Sequence, residues 1–220
     1  MMKISFSLTD LVLLPDRAVY LPETRVLVIA DLHLGKSATF RTRGIAVPEG
    51  TTTSDLARLS KLIEETRART LVIAGDLVHS HDGLTPEIVT AFRNWIEDHD
   101  IEVILTEGNH DQRTNLSKHH FPLAINRSCL VDETLITHDP DDLAPEQAGI
   151  AGHLHPGIRI PESRHSSLRL PAFHLRNEHH LILPAFSSFT GLQMIKPSPT
   201  DRFFVCLRES ITEIPSSLVS

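Results

Sequence analysis

Cysteine is nearly missing from this chain: Cys129 and Cys206 are the two in 220 residues. They are too few and too scattered for a disulfide framework or a thiolate metal site. Nothing approaches the unbroken apolar run that a membrane-spanning helix needs, so no membrane partner is expected. The opening MMKISFSLTD has no basic region, long apolar stretch or small-residue cleavage site of a secretory signal, and a cytoplasmic location is expected from that lack. No internal repeat, low-complexity tract, charge block or Pro/Gly/Ser-rich linker divides the sequence, so one domain over 1–220 is expected. Positive charge is not in excess either. With 21 Lys and Arg against 28 Asp and Glu, the net charge of −7 argues against a protein built to coat nucleic acid. Aromatics are few, with one Trp and one Tyr, but histidine is abundant at 14.

The order of apolar runs sets the fold class. Residues 11–14 and 18–21 read as strands joined like a hairpin across Pro15-Asp16. The β-branched runs 25–30 (RVLVIA), 70–74 (TLVIA) and 101–106 (IEVILT) read as strands buried on both faces. Between them, Leu56, Leu59, Leu62 and Ile63 recur at helical spacing within 51–69, and 86–99 reads as a helix with Pro86 in its first turn. Beyond residue 110 the pattern changes to short strand-like pieces at 129–132, 135–137, 149–151, 157–160, 167–170, 180–183, 203–207 and 211–214. An alternating first half and a strand-rich second half fit an α/β (α+β) protein with sheets packed face to face and helices outside.

The polar residues that follow these strands carry the chemistry. Ala30-Asp31-Leu32-His33, Gly75-Asp76 and Gly108-Asn109-His110-Asp111 each come directly after a buried strand, and Thr137-His138 and Gly152-His153-Leu154-His155 after later ones. Loops at the carboxyl ends of strands converge on one edge of an α/β sheet, so these motifs should meet in space. On extended backbone the x-His-x-His pair should turn both rings to one face. A single Asp or His after a strand is more often a cap or turn residue than a ligand. Five motifs in series are not explained that way. Asp31, His33, Asp76, Asn109, His138, His153 and His155 together offer two carboxylates, an amide oxygen and four imidazoles. Such a set without sulfur suits manganese, iron or zinc. Seven ligands exceed one ion but suit two sharing a carboxylate, and ions roughly 3.5–4 Å apart are a standard device for phosphate ester hydrolysis. Two such ions and a hydroxide would add about +3 at the site, so the overall charge is a poor guide to the substrate.

The series D-x-H, G-D, G-N-H-D, H, G-H-x-H resembles the calcineurin-like metallophosphoesterase superfamily. Residues 30–36 (ADLHLGK), 40–44 (FRTRG), 47–50 (VPEG), 152–156 (GHLHP) and 183–191 (LPAFSSFTG) are most similar to the bacterial DNA ligase-associated metallophosphoesterases. The resemblance implies a β-sandwich flanked by helices in four layers. It implies two divalent ions, manganese foremost, one on Asp31, His33, Asp76 and His155 and the other on Asp76, Asn109, His138 and His153. His110 would assist the leaving group and Asp111 would orient its ring. The implied activity is that of a phosphodiesterase or nuclease acting in DNA repair, with a DNA ligase and a helicase-like protein as partners. A phosphoesterase for small, cyclic or lipid-linked nucleotides is the alternative, and a non-catalytic metal-bound interaction module a more distant one. The chain departs from the family at Gly191-Leu192 and Ser187-Ser188, which puts local loop shape in question rather than the metal chemistry.

Lys36, Arg41 and Arg43 follow the first motif closely and are candidate substrate phosphate contacts, although FRTRG also reads as a surface turn. Arg159 is a weaker candidate. His79 and His81 could support the ligands from behind. His119, His120, His165, His174, His179 and His180 have no motif context, and no catalytic role is expected of them. Phe186 and Phe189 read as core or loop anchors rather than as a base-stacking platform, and the acidic run 139–142 as a solvated loop.

Overall fold

A computed structural model describes residues 1–161, 163 and 166–219, so His165 lies outside the described residues. The first half builds one sheet. Strands β1 (Met2–Phe6), β2 (Thr9–Leu14), β3 (Ala18–Leu21) and β4 (Val26–Ile29) form an antiparallel meander. From there α1 (Lys36–Thr42) and α2 (Thr51–Thr66) lead to β5 (Thr70–Ile73), and α3 (Pro86–Asp98) leads to β6 (Glu102–Thr106). Then α4 (Asn109–Thr114) leads to β7 (Ala124–Asn126), and β4 to β7 run parallel in chain order.

The second half builds the other sheet from β8 (Ser128–Val131), β9 (Thr134–Thr137), β10 (Gly149–Ala151), β11 (Pro156–Pro161) and β12 (Ser167–Arg176). It is completed by β13 (His180–Ile182), β14 (Gln193–Met194), β15 (Arg202–Cys206) and β16 (Ile211–Ile214). Its order is β14-β11-β12-β13-β10-β9-β8, with β15 joining β12 to β16. Strand β10 runs parallel to both β9 and β13, so the carboxyl ends of β9 and β10 face the same way.

Two apolar layers hold this arrangement. Val28, Val72, Leu11 and Leu13 from the first sheet meet Ile136, Ile150, Phe173, Leu181 and Phe204 from the second. On the other face of the first sheet, Leu56, Leu59, Leu62 and Ile63 of α2 and Phe92, Trp95 and Ile96 of α3 pack against Leu27, Ile29, Leu71 and Ile73. Burying each such side chain is worth about 1.5–3 kcal/mol before conformational entropy is counted. The sandwich flanked by helices expected from the sequence is therefore present. The outer face of the second sheet is covered more thinly, by Leu143 after the 3-10 turn Pro140–Asp142 and by Val219 after Ser216–Leu218.

Several elements differ from the sequence reading. FRTRG is not a surface turn throughout, because Phe40, Arg41 and Thr42 complete α1. The expected strand 167–170 extends to Arg176 and changes partners at Pro171, pairing with β11 before it and with β13 and β15 after it. Strands β1, β7 and β14 and helix α4 were not read from the sequence at all. Helix α2 stops at Thr66 because Arg67 turns into the left-handed region at φ 55°.

Candidate metal centre

Each candidate ligand stands where the chain leaves a strand. Asp31 follows β4, Asp76 follows β5, Asn109 opens α4 after β6, His138 follows β9, and His153 and His155 lie between β10 and β11. Asp31, His33, Asp76, His153 and His155 have φ of 55°, 50°, 48°, 69° and 47°. The left-handed region is unusual for residues other than glycine, and it persists only where the surroundings over-determine it. Those surroundings are cross-loop hydrogen bonds: Asp31 N donates to Gly75 O at 3.1 Å, His33 N to Asp76 O at 2.9 Å and Gly152 N to His138 O at 3.0 Å. Two glycines make the approach possible. A Cβ on Gly75 would lie 2.0 Å from His138 Nδ1, and one on Gly152 would lie 2.6 Å from Ala74 O.

The ligand atoms converge in two groups. In the first, His33 Nε2 and His155 Nε2 are 3.3 Å apart, and His155 Nε2 is 3.4 Å from Asp31 Oδ1. In the second, His138 Nε2 lies 3.5 Å from Asp76 Oδ1, 3.1 Å from Asn109 Oδ1 and 3.0 Å from His153 Nδ1. Carboxylate and ring atoms of Asp31, His33 and His155, and of Asp31, Asp76 and His138, all fall within 4.8 Å of one another in each set. All seven candidates thus meet. The His153 and His155 rings do not share one face of an extended strand as expected. Left-handed backbone at both turns them into different groups.

The chemistry of the donors fits a cation. His138 Nδ1 faces Ala74 O at 3.2 Å. A carbonyl only accepts, so that nitrogen carries the hydrogen and Nε2 presents a lone pair. The lone pair points at the oxygens of Asn109 and Asp76, an arrangement of acceptors that repel unless a metal ion or a proton lies among them. Asp31 and Asp76 are 0% and 2% exposed, with no Lys or Arg ion pair among the described residues. Burial, reinforced by the Asp31 carboxylate, holds the Asp76 carboxyl above its ordinary range, and His138 opposes this. Burial, with Lys36 and the neighbouring histidines, drives His33 far below the usual imidazole value, leaving a neutral ring able to ligate.

The expected outer pair is arranged differently. His110 N donates to Asp76 Oδ1 at 3.0 Å, and its ring Nε2 lies 3.9 Å from Asp76 Oδ2. Its Nδ1, however, is held at 2.6 Å by the carbonyl of His79 and not by Asp111. Asp111 turns back along α4 and accepts from Gly108 N at 3.0 Å, Leu77 N at 3.2 Å and Val78 N at 3.0 Å. It therefore braces the Asp76 and Asn109 loops instead of orienting the ring, and burial pushes its carboxyl up to about 7 against those three donors. The His79 ring stacks on His110 with centroids 5.1 Å apart. Burial first, then Lys36, His110 and Arg43, push His79 down to about 4, so it is neutral at pH 7.

Of the basic candidates, Lys36 is beside the centre. Burial lowers its pKa while Asp31 and Asp76 pull it back up, and its Nζ donates to Thr190 Oγ1 at 3.2 Å. Arg43 is exposed at the end of α1. Arg41 turns away, to Pro48 O at 3.3 Å and Glu49 at 3.8 Å, so it does not line the centre. Arg159 Nε donates to Ser167 Oγ on the adjacent strand at 2.7 Å. Of the acidic run, Asp141 and Asp142 are exposed, but Asp139 is half-buried and Pro140 is buried at the start of a 3-10 turn, so the run is not a solvated loop throughout. Phe40 and Thr190 were not singled out from the sequence, although both stand in segments that carry the family resemblance.

Buried carboxylates, an amide oxygen and imidazoles gathered without sulfur at the meeting edge of two sheets define a metal-dependent hydrolase. The model of the calcineurin-like phosphoesterase family matches residues 24–157, and the chain belongs to that family. Its members use divalent metals to hydrolyse phosphoesters. The structure of Pseudomonas putida nuclease MPE is similar at 30% identity and a TM-score of 0.82, covering 96% of this chain and 99% of that one. The E. coli phosphoesterase Yfce overlaps at 16% identity and a TM-score of 0.43, covering 86% and 97%. AQ665 of Aquifex aeolicus, a protein of unknown function, overlaps at 18% identity and a TM-score of 0.41, covering 58% and 77%. No curated protein matches the chain.

Proposed function

We propose that the chain is a dinuclear phosphodiesterase that cuts nucleic acid, with manganese as its working metal. The observation that carries this reading is the acceptor-against-acceptor contact of His138 Nε2 with Asn109 and Asp76, beside the second convergence of Asp31, His33 and His155. Asp31, His33 and His155 would hold one ion and Asn109, His138 and His153 the other, with Asp76 shared between them. When bound, such a pair of ions polarises phosphoryl oxygens and acidifies the attacking water. The all-nitrogen-and-oxygen donor set supports manganese over softer, sulfur-seeking ions. Nucleic acid as substrate is supported by the similarity to a Pseudomonas putida nuclease over nearly the whole of both chains. A repair role beside a DNA ligase and a helicase-like protein rests on the family resemblance of the sequence. Both sheets supply ligands, which supports reading 1–220 as one domain.

His110 is the proton donor to the leaving oxygen in this reading. The His79 carbonyl accepts from Nδ1, so the proton given to the leaving oxygen is the one that Nε2 carries in the imidazolium form, on the side that faces Asp76 and the centre; the ring is left neutral. Lys36, next to the carboxylates, offers its ammonium to a substrate phosphate. The test strips the protein of metal, reloads it with single metals, and offers a nitrophenyl diester, a phosphomonoester and DNA. Manganese-dependent hydrolysis of diester and DNA is expected. Failure on every diester with every metal would overturn the enzyme reading. In the same assay His110→Ala should lose about 10²–10⁴-fold on DNA and far less on the nitrophenyl diester, whose leaving group needs no proton. Equal losses on the two would remove His110 from the role of acid.

A further inference from the structure

Most phenylalanines of the chain are core residues. Phe6, Phe92, Phe173, Phe186, Phe203 and Phe204 are fully buried, and Phe121 packs against the helical core. Phe40 and Phe189 are different. Both are half-buried, both stand outside the hydrophobic clusters of the described residues, and they meet edge to face with centroids 5.5 Å apart. Phe40 also stacks over His79 at 6.1 Å, and His79 stacks on His110. A file of rings therefore leads outward from the metal edge, from His110 through His79 to Phe40 and Phe189. Lys36, one helical turn before Phe40 on α1, bonds Thr190, the residue after Phe189. A cation and two accessible rings thus stand together at the end of the file.

This wall is held in place by charge. Arg17 Nη1 donates to Ala185 O at 3.2 Å and Ser187 O at 3.1 Å, and Arg58 donates to Phe186 O. Asp55 accepts from Ser188 N at 3.3 Å and pairs with Arg58 at 3.2 Å, while the Arg58 guanidinium lies 4.1 Å from the centre of the Phe186 ring. On its inner side the same segment is tied to the ligand strand, Phe186 N donating to Ala30 O at 2.7 Å and Ser187 N to Asp31 O at 3.3 Å. The segment that presents Phe189 and Thr190 is thereby set in register with Asp31. Such a fixed surface is ready to bind without an ordering cost.

We propose that Phe40 and Phe189 form a stacking step for the nucleobase of the nucleotide next to the scissile phosphate, with Lys36 on the neighbouring phosphate and the Arg17–Asp55–Arg58 clamp holding the step in register. This rests on the nucleic-acid reading above. It assigns binding strength to base stacking, which is tolerant of sequence because every base has a π-face.

Abasic substitution tests it. One set of labelled single-stranded oligonucleotides carries an abasic residue at each position flanking the cleaved bond, and a control strand carries none. Anisotropy with metal-free protein gives binding, and single-turnover cleavage with manganese-loaded protein gives rate. The parent protein should bind and cleave the control about tenfold better than the strand lacking one particular flanking base. In Phe40→Ala and Phe189→Ala that ratio should fall towards one, and Phe40→Trp should restore it. A parent protein indifferent to base removal, or alanine variants that keep the full ratio, overturns the stacking step while leaving the nuclease reading intact. A parent protein that cleaves no strand but hydrolyses the nitrophenyl diester overturns both.

Discussion

The first sheet brings both carboxylates and the amide oxygen to the metal edge, with one imidazole; the second sheet brings imidazoles alone, His138, His153 and His155. The first group is costly to gather. Asp31 and Asp76 are buried like charges, and the Asp76 carboxyl is held above its ordinary range by burial and by Asp31. A second sheet that also delivered carboxylates would multiply that desolvation. Imidazoles close against it without adding negative charge, and close tightly, since even a Cβ at Gly152 would strike the carbonyl of Ala74. The division suggests that the first sheet fixes the charge of the centre and the second fixes its geometry.

Removing charge should therefore cost most. Asp76→Asn is expected to lower kcat/KM by about 10³-fold or more, several kcal/mol of lost electrostatic stabilisation of the transition state. The same change should stabilise the metal-free protein, because it deletes one of two buried like charges. Relief of roughly 1 kcal/mol would raise the thermal midpoint by about 2–4 °C. An unchanged or lower midpoint would show that Asp76 is not under strain from Asp31. His153→Gln, on the second sheet, removes no charge and should cost less, and it should recover when metal concentration is raised. If His153→Gln fails to recover while Asp76→Asn does, the division of labour between the sheets is reversed.

The seven candidate ligands were legible because each sits in a short polar motif behind a strand-like run, and for Asp31, Asp76 and Asn109 that run is β-branched and announces a buried strand. The seven side chains lie close together in the structure. What stayed hidden depended on contacts made far along the chain. Helix α1 (KSATFRT) has no apolar periodicity, and it is held from outside by Thr39 Oγ1 meeting Ser80 Oγ at 2.8 Å. Asp111 stands next to His110 in sequence, yet as the third residue of α4 its side chain folds back on the backbone amide of Gly108, the usual geometry of a helix start. The orienting group for His110 is a main-chain carbonyl, which no residue type reveals. Pro171 hid the length of β12 because a proline reads as a strand end, whereas here it marks the change of partners.

The clamp behind the ligand strand belongs to the first sheet's side of the molecule and repeats its logic of buried charge. Asp55 is raised by burial even though Arg58 and Ser188 oppose the shift, and Arg58 is lowered by its own burial. Neither charge is comfortable alone. Arg58→Met should cost about 3 kcal/mol because Asp55 is left buried and uncompensated, seen as a shift in the urea midpoint at unchanged slope. The double variant Arg58→Met/Asp55→Leu should recover part of that loss. A single variant as stable as the parent would mean that water reaches Asp55 and that the clamp is looser than its distances imply.

The smallest effect is expected on the second sheet, away from the metal edge, where a buried imidazole is present with no ligand to hold. His174 is 2% exposed, stacks on Phe203 at 4.7 Å, and has Nε2 3.0 Å from Asp201 Oδ2. Burial lowers its pKa, Asp201 partly restores it, and Arg176 lowers it further. With a folded pKa below the unfolded value of about 6.5, the folded state binds fewer protons than the unfolded one. The stability this gives is complete above about pH 6.5 and is lost as pH falls through the folded pKa. Thermal midpoints of metal-free protein should therefore fall between pH 7.5 and pH 5 more steeply in the parent than in His174→Gln. Parallel curves would mean that the Asp201 carboxylate cancels the cost of burying the charged ring. The second sheet would then tolerate charge as well as the first, and its supply of imidazoles without carboxylates would need another cause.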